Sequence, residues 1–208
     1  MFLVESMTIH YMPLFRKIKA WIEEHNLGKL KMIQVNFGTF KNFEDRYFFK
    51  KELAGGALFD IGVYALNFVR FFISQKPDQI SSYVNIHESG VDESSSIILK
   101  NKKEELATVS LTFRAKMPKR GLVAYEKGYV EINEYPHATE ATLVKLNGER
   151  ESLKLGDSNR RLAYEVEYIS ELLEKTNENK YLNYTIDVLE IMDELRQSWK
   201  LKYEGEEV

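Results

Sequence analysis

Cysteine is absent from the 208 residues of this chain. Its absence excludes disulfide bonds, thiolate metal ligands and a cysteine nucleophile, and it is typical of proteins that work in a reducing cytosol. Residues 1–7 also lack the basic start and the long apolar run of a secretory signal. We therefore expect a cytoplasmic location.

The chain also lacks a concentration of charge of one sign. Its formal net charge is -3, and lysine and arginine are spread along the sequence rather than gathered into a basic stripe. Nucleic acid and anionic membrane surfaces are therefore not expected as partners. The longest apolar stretch, residues 57–73, falls short of the ~20 residues that span a bilayer and contains Asp60, Asn67 and Arg70. It predicts a buried core helix.

Motifs for metal binding and for dinucleotide binding are missing as well. The four histidines show no metal-ligand spacing, and no H-E-x-x-H pattern occurs. No G-x-G-x-x-G turn is present to hold a pyrophosphate at the start of a helix. We expect neither a bound metal nor NAD or NADP held by this chain alone.

The first part of the chain contains clear helix and strand patterns. Pro13 and the helical spacing of the apolar residues after it predict a helix that runs to about Asn26 and is stopped by Gly28. Alternating apolar residues predict a strand over residues 33–37. The charged and aromatic segment 41–54 predicts a loop that leads into a glycine pair and the apolar helix.

The middle of the chain predicts several consecutive antiparallel strands, and Asn147-Gly148 is a strong type I′ hairpin signal. The order of elements predicts an α+β fold in which helices pack on one face of a mostly antiparallel open sheet, as a single domain over residues 1–208. Two amphipathic helices close the chain, with apolar stripes formed by Leu162, Val166, Ile169 and Leu173 in the first and by Val188, Met192, Leu195 and Trp199 in the second.

Three polar residues interrupt the apolar helix in the sequence "GGALFDIGVYALNF". At ~100° per residue, Asp60, Tyr64 and Asn67 point into one narrow sector. A structural interpretation is that Asp60 accepts backbone N–H groups near the helix start while the other two bond to neighbouring loops. A functional interpretation is that the stripe forms the wall of a pocket, which the glycines let a backbone or a ligand approach. The residues alone leave both open.

The same stretch resembles the signature of the Gfo/Idh/MocA family of NAD(P)-dependent oxidoreductases, in which a glycine pair precedes a D-x-G-x-H/Y helix in the C-terminal domain. The segment "VESMTIHYMPLFRKIKAWIEEHNLGKLKMIQVNFG" resembles the connection between that family's two domains, so residues 1–28 resemble the inter-domain segment and first helix. "GYVEINEYPHATEATLV" and "VLEIMDELRQSWKLKY" resemble its later strand and last helix. The resemblance implies that family's second domain, which is similar to the C-terminal domain of GAPDH, with the N-terminal Rossmann domain absent from this chain.

The resemblance also implies roles for individual residues. Tyrosine at position 64 is similar to the branch of glucose-fructose oxidoreductase and dimeric dihydrodiol dehydrogenase, which makes Tyr64 the implied acid/base and Asp60 the neighbour that orients substrate or side chain. Arg46, Asn67 and His10 are implied substrate-binding residues. A free tyrosine has a pKa near ~10, so acid/base work near neutrality needs a nearby cation. In the family, that cation is a lysine of the nucleotide-binding domain.

Two functions of different classes follow. The first is the substrate-binding and oligomerisation domain of an oxidoreductase that uses NAD or NADP in its full-length parent and acts on a polyhydroxylated small molecule: a sugar, inositol or a trans-dihydrodiol. The second is a non-catalytic carbohydrate-binding or assembly module on the same scaffold, which the missing phosphate turn favours. Inspection of the coding sequence upstream of Met1 would discriminate between them.

The predicted sheet also has an almost uncharged second face. Threonine suits strands, so an ordinary solvated face is one interpretation. Depletion of charge is also the mark of an interface core, and C-terminal domains of the resembled family commonly pair through an open sheet face. We therefore expect a homodimer through this face, whose residues include Gln34, Asn36, Thr108, Ser110 and Thr112.

Overall fold

The structure is a computed structural model, and it describes residues 3–42, 46–175, 179, 181–203 and 205–206. Four α-helices and eight strands make up the regular part of what it describes. The helices are α1 (Pro13–Glu24), α2 (Val63–Phe72), α3 (Arg161–Lys175) and α4 (Leu182–Trp199); the strands are β1 (Leu30–Gly38), β2 (Gln79–Ile86), β3 (Asp92–Lys100), β4 (Leu106–Thr112), β5 (Met117–Tyr125), β6 (Gly128–Asn133), β7 (Glu140–Lys145) and β8 (Arg150–Lys154).

The strands form one open sheet in the order β2-β3-β4-β1-β5-β6-β7-β8. All neighbouring strands are antiparallel except β1 and β4, which run parallel with Val35 opposite Val109. The predicted fold class, a mostly antiparallel open sheet with helices on one face, is confirmed. The expectation of consecutive antiparallel strands fails only where β1 is inserted between β4 and β5, because alternation identifies a strand but not its partners.

One face of the sheet is the core. The alternating apolar residues of β1 and β4 lie there at no more than 8% exposure, together with Phe113 just beyond β4. Helix α2 packs closely on this face: the ring of Phe68 occupies the space that a Cβ atom would need at Gly121 in β5. The helical stretch Lys51–Phe72 is apolar enough to span a membrane, but 61% of its most apolar window is buried inside the protein, as in the core helix that the sequence predicts.

The first helix ends slightly earlier than predicted. Helix α1 ends at Glu24, and Asn26 and Gly28 both adopt the left-handed conformation after it.

The hairpin between β7 and β8 has a three-residue loop, 146–148, in which Gly148 has a φ of +85° and Asn147 does not have a positive φ. The turn is therefore a three-residue type with a left-handed glycine, and the prediction of a type I′ turn is wrong.

The prediction that the first closing helix, α3, buries its apolar stripe is wrong. Leu162, Val166 and Leu173 of α3 are each more than half exposed, whereas Glu165 and Tyr168 are buried. Tyr168 turns the other face of α3 inward because its ring packs against Tyr11, beside α1. The stripe predicted for α4 is confirmed, since Val188, Met192 and Leu195 are buried and Trp199 donates a hydrogen bond to Ser82.

The glycine pair at the start of the central helix is required by two close approaches. A Cβ atom at Gly55 would overlap the backbone oxygens of Tyr47 and Phe48. Gly56 has a φ of +126°, and a Cβ atom there would overlap Oδ1 of Asp92. The loop before the helix and the first residue of β3 therefore both press on this turn, and only glycine fits.

Asp92 anchors the helix that begins at this turn. Its carboxylate is fully buried, and its Oδ2 accepts a 2.7 Å hydrogen bond from the backbone N–H of Leu58. Burial raises the pKa of Asp92 to about 6, and the hydrogen bonds from Leu58 and Ala57 act in the opposite direction. Because free N–H groups at a helix start attract negative charge, Asp92 fixes where the helix begins. A π-helical turn, Leu58–Gly62, follows and leads into α2.

Replacing Asp92 with asparagine tests this anchor. The folded protein has a pKa of about 6 at this group against an ordinary value of 3.8, so it binds the proton more tightly than the unfolded chain does. The contribution of this group to stability is therefore largest below about pH 4 and is lost as the pH rises through about 6. A difference of about two pH units corresponds to ~3 kcal/mol.

Chemical denaturation of wild type and Asp92→Asn between about pH 4 and pH 7 measures the effect. The free energy of unfolding of wild type relative to the variant should fall by up to ~3 kcal/mol as the pH rises. Asp78→Asn removes an exposed carboxylate and serves as the control. A wild-type advantage that stays constant over this pH range would contradict the buried anchor.

Candidate functional site

Asp60 and Tyr64 are the members of the polar stripe that reach the surface. Asp60 lies in the π-helical turn, and Tyr64 lies one turn later in α2. The Asp60 side chain is 25% exposed, and Tyr64 is half-buried, with its ring 6.4 Å from that of Phe37 on the core side. The structure therefore places a carboxylate and a phenol beside each other on one surface.

Asn67 and His10 are brought together inside the protein. Nε2 of His10 lies 3.0 Å from Oδ1 of Asn67, and the Asn67 amide donates to the backbone oxygen of Val63. The His10 ring stacks on Tyr181 with the ring centroids 4.6 Å apart. Both side chains are buried, so in this arrangement they join the segment before α1 to α2 and to the start of α4 and do not face a substrate directly.

Arg46 begins a short helical turn, Arg46–Phe49. Its side chain and residues 43–45 lie outside the described part of the structure. The predicted substrate contact of Arg46 therefore stays a prediction.

Lys41 is a member of the site that sequence reasoning missed. Its Nζ lies 3.8 Å from Oδ2 of Asp60 and 3.5 Å from the ring centroid of Phe48. In the sequence, Lys41 is one charge in a charged loop, and no spacing connects it to Asp60. The contact exists because β1 carries the chain past the glycine turn, where the N–H of Lys41 donates to the backbone oxygen of Phe113.

The electrostatics of the pair favour a neutral phenol. Burial raises the pKa of Tyr64, and the Asp60 carboxylate raises it further, while the Arg161 guanidinium at the start of α3 lowers it. Burial also raises the pKa of Asp60, and the Lys41 ammonium opposes this shift. Near neutral pH the surface therefore presents a phenol that can donate a proton beside a carboxylate that can accept a hydrogen bond.

The start of the central helix does not offer a phosphate site. A glycine turn before a helix is a common place for a pyrophosphate, because free N–H groups point at the ligand. Here the buried Asp92 carboxylate already accepts the N–H of Leu58. Among the described residues, no group of three or more His, Cys, Asp or Glu side chains is arranged to hold a metal ion.

Comparison with known proteins identifies the chain's relatives. Residues 15–131 match the family model of the GFO/IDH/MocA C-terminal domain. The trans-1,2-dihydrobenzene-1,2-diol dehydrogenase of Xenopus tropicalis is 28% identical over 97% of this chain and 64% of its own length. The human protein of that name is 26% identical over 84% of this chain and 54% of its own length.

Solved structures share the fold. A variant of a 3-ketoreductase from Actinomadura kijaniata, in complex with TDP-benzene and NADP, superposes with a TM-score of 0.82 at 13% identity over 95% of this chain and 62% of that one. The aldose-aldose oxidoreductase from Caulobacter crescentus, complexed with glycerol, has a TM-score of 0.77 at 18% identity over 94% of this chain and 61% of that one.

The chain thus spans less than two thirds of the length of these relatives. The family model covers more than half of the chain, including the glycine turn, Asp60 and Tyr64. On this evidence, the chain belongs to the Gfo/Idh/MocA family of oxidoreductases, matching it through the C-terminal domain.

Proposed function

We propose that this chain is the substrate-binding domain of an NAD(P)-dependent oxidoreductase that acts on a hydroxyl or carbonyl group of a polyhydroxylated small molecule. The observation that carries the proposal is the placement of Asp60 and Tyr64 side by side on one surface. The relatives' names favour a trans-dihydrodiol as substrate, and a sugar derivative is the next choice. We propose a cytoplasmic location for the protein.

In this proposal Tyr64 moves the proton of the reaction. Burial and the neighbouring carboxylate keep the phenol neutral, so it can donate its proton to a substrate oxygen during reduction. In the direction of oxidation, the Tyr64 phenolate takes the proton from the substrate hydroxyl. Asp60 accepts a hydrogen bond from a second substrate hydroxyl and so holds the reacting carbon in place. NAD or NADP, when bound by a nucleotide-binding domain outside this chain, supplies or accepts the hydride.

The buried pair behind the surface has a supporting role. Asn67 lies almost one turn beyond Tyr64 and is fixed by His10, so the hydrogen bond between them holds the rotation of α2 about its axis. That rotation determines where the Tyr64 hydroxyl points. We assign Asn67 and His10 to this positioning, in place of the direct substrate contact that the sequence predicts.

The alternative function is a non-catalytic carbohydrate-binding or assembly module. The missing dinucleotide turn and the blocked helix start favour it, because both remove nucleotide chemistry from this chain. A screen of sugars against the purified chain separates the two functions. A stand-alone module should bind a sugar and should retain that binding in Asp60→Asn, whereas binding at the surface of Asp60 and Tyr64 should be lost in that variant.

We also propose that two copies pair through the face of the sheet that the helices leave uncovered. The part of this face formed by β2, β3, β4 and β1 carries mostly uncharged side chains, among them the 86% exposed Tyr83 and the half-exposed Ile98. Ser96 lies opposite Tyr83 on one side and Ser110 on the other, and these three residues line a shallow cavity of about 240 Å³. The charged pair Arg120 and Glu131 lies beyond β1, on β5 and β6 in the middle of the eight-stranded sheet. Depletion of charge over these four neighbouring strands is the composition expected of an interface.

Tyr64→Phe tests the proposed chemistry in the enzyme that joins this chain to a nucleotide-binding domain. The change removes the only proton that the side chain can deliver and leaves its packing against Phe37 intact. Turnover should fall by about two to four orders of magnitude, the usual contribution of general acid/base catalysis. The exposed Tyr83→Phe is the matched control and should retain activity. A Tyr64→Phe enzyme with near-parental turnover would show that Tyr64 does not have this role.

Sedimentation of the chain at tens of micromolar tests the pairing. A dimer is expected, and Ser110→Lys combined with Thr112→Glu should convert it to a monomer, because charges buried at an interface core lose their water. The control combines Ser170→Lys with Gln197→Glu on exposed helix positions and should remain dimeric. A wild-type monomer at these concentrations would defeat the proposed interface.

A further inference from the structure

Lys41 occupies an unusual position for a lysine. Its side chain is only 21% exposed, although lysine usually keeps its charge in water. The ammonium lies 3.5 Å from the ring centroid of Phe48 and 5.8 Å from that of Phe113. Aromatic faces attract a cation, but a charge held this close to apolar rings also needs a counter-ion.

The Asp60 carboxylate is the counter-ion of Lys41, and the Lys41 ammonium in turn stabilises the charged form of Asp60. Both side chains are largely removed from water, so their attraction is screened less than that of a surface pair. At 3.8 Å the two groups form an ion pair but not a direct hydrogen bond. The Asp60 carboxylate therefore remains available to accept a hydrogen bond from a hydroxyl group.

The backbone around Lys41 is fixed independently of this pair. Its N–H donates a 2.9 Å hydrogen bond to the oxygen of Phe113, beyond the end of β4. The backbone oxygen of Phe48 accepts the N–H of Gly56 at 2.9 Å, so the ring beneath the ammonium belongs to the loop that holds the helix start. The lysine and the helix that carries Asp60 are thus attached to one rigid corner of the fold.

We propose that Lys41 is a positioning residue of the site, which holds the Asp60 carboxylate charged and directed to the surface that it shares with Tyr64. The part of the inference that concerns substrate rests on the proposed function, whereas the charge coupling between Lys41 and Asp60 does not. In the described part of the chain, the other titratable groups that act on Tyr64 are the phenol of Tyr47, the guanidinium of Arg161 and the carboxylate of Glu5. Among the same residues, Lys41 is the cation that acts on Asp60.

The test is a titration of the Asp60 carboxyl group by carbon-13 NMR in the 208-residue chain. In Lys41→Met the midpoint should move to higher pH by about one unit relative to wild type, since an opposite charge at this distance favours the ionised form. Lys41→Arg keeps the charge and should leave the midpoint near the wild-type value. Lys19→Met is the matched control, because Lys19 also lies over an aromatic ring, that of Phe71.

The backbone amide NMR spectrum of each variant reports whether the variant keeps its fold. If Lys41→Met loses that signature, Lys41→Gln replaces it as the uncharged variant. An Asp60 midpoint that does not move on loss of the charge, or that moves equally in Lys41→Arg, would overturn the proposal.

The kinetic test of the proposed function and the titration test of Lys41 can fail independently of each other. If Tyr64→Phe kept full turnover while Lys41→Met still shifted the titration midpoint of Asp60, the proposed role of Tyr64 would be wrong. The charge coupling between Lys41 and Asp60 would still hold. If Tyr64→Phe lost turnover while Lys41→Met left the midpoint of Asp60 unchanged, Lys41 would have no positioning role. The proposed role of Tyr64 would still hold.

Discussion

A buried carboxylate at the start of the central helix determines how the rest of this structure is arranged. Asp92, the first residue of β3, accepts a hydrogen bond from the N–H of Leu58. The carboxylate can come this close because Gly56 has no side chain. Tyr203, after α4, donates a hydrogen bond to the oxygen of Gly55 at the same turn. The sheet and the segment after α4 therefore both contact the glycine turn, from which α2 runs across the core. The helix N–H groups offset only part of the cost of burying the charge, because the pKa of Asp92 is still raised to about 6.

The position of the helix start explains why one polar stripe has two different environments. Near the start, Asp60 lies in a π-helical turn that widens the helix, and Tyr64 follows at the edge of the core. One turn later, Asn67 lies beneath the segment before α1 and bonds to His10. The structural interpretation therefore holds for Asn67, whereas Asp60 pairs with Lys41 and does not accept backbone N–H groups at the described helix start. The functional interpretation of Asp60 and Tyr64 stays a proposal. π-helical turns are frequent at functional sites, which agrees with the position of Asp60.

Much of this could be read from the sequence, because the signals are local. Alternation identified the core faces of β1 and β4, and the glycine pair marked a turn that something must approach closely. Asp92 and Lys41 could not be found in this way, since each acts on the helix from a distant part of the chain and neither belongs to a periodic pattern. The stripe of α3 was misread because amphipathic spacing shows that a helix has an apolar face but not which neighbour covers it. Tyr168 and Glu165 are buried there, while Leu162 is exposed.

The central claim is that the surface of Asp60 and Tyr64 binds the substrate of a family oxidoreductase. Chemical-shift mapping of the nitrogen-15-labelled chain with a trans-dihydrodiol tests it most directly. The account predicts saturable shifts confined to the amides of Lys41, of residues 58–64 and of the neighbouring loop, and their loss in Asp60→Asn. Saturable shifts on the open face of the sheet around Tyr83 and Ser110, with Asp60 and Tyr64 unchanged, would contradict it.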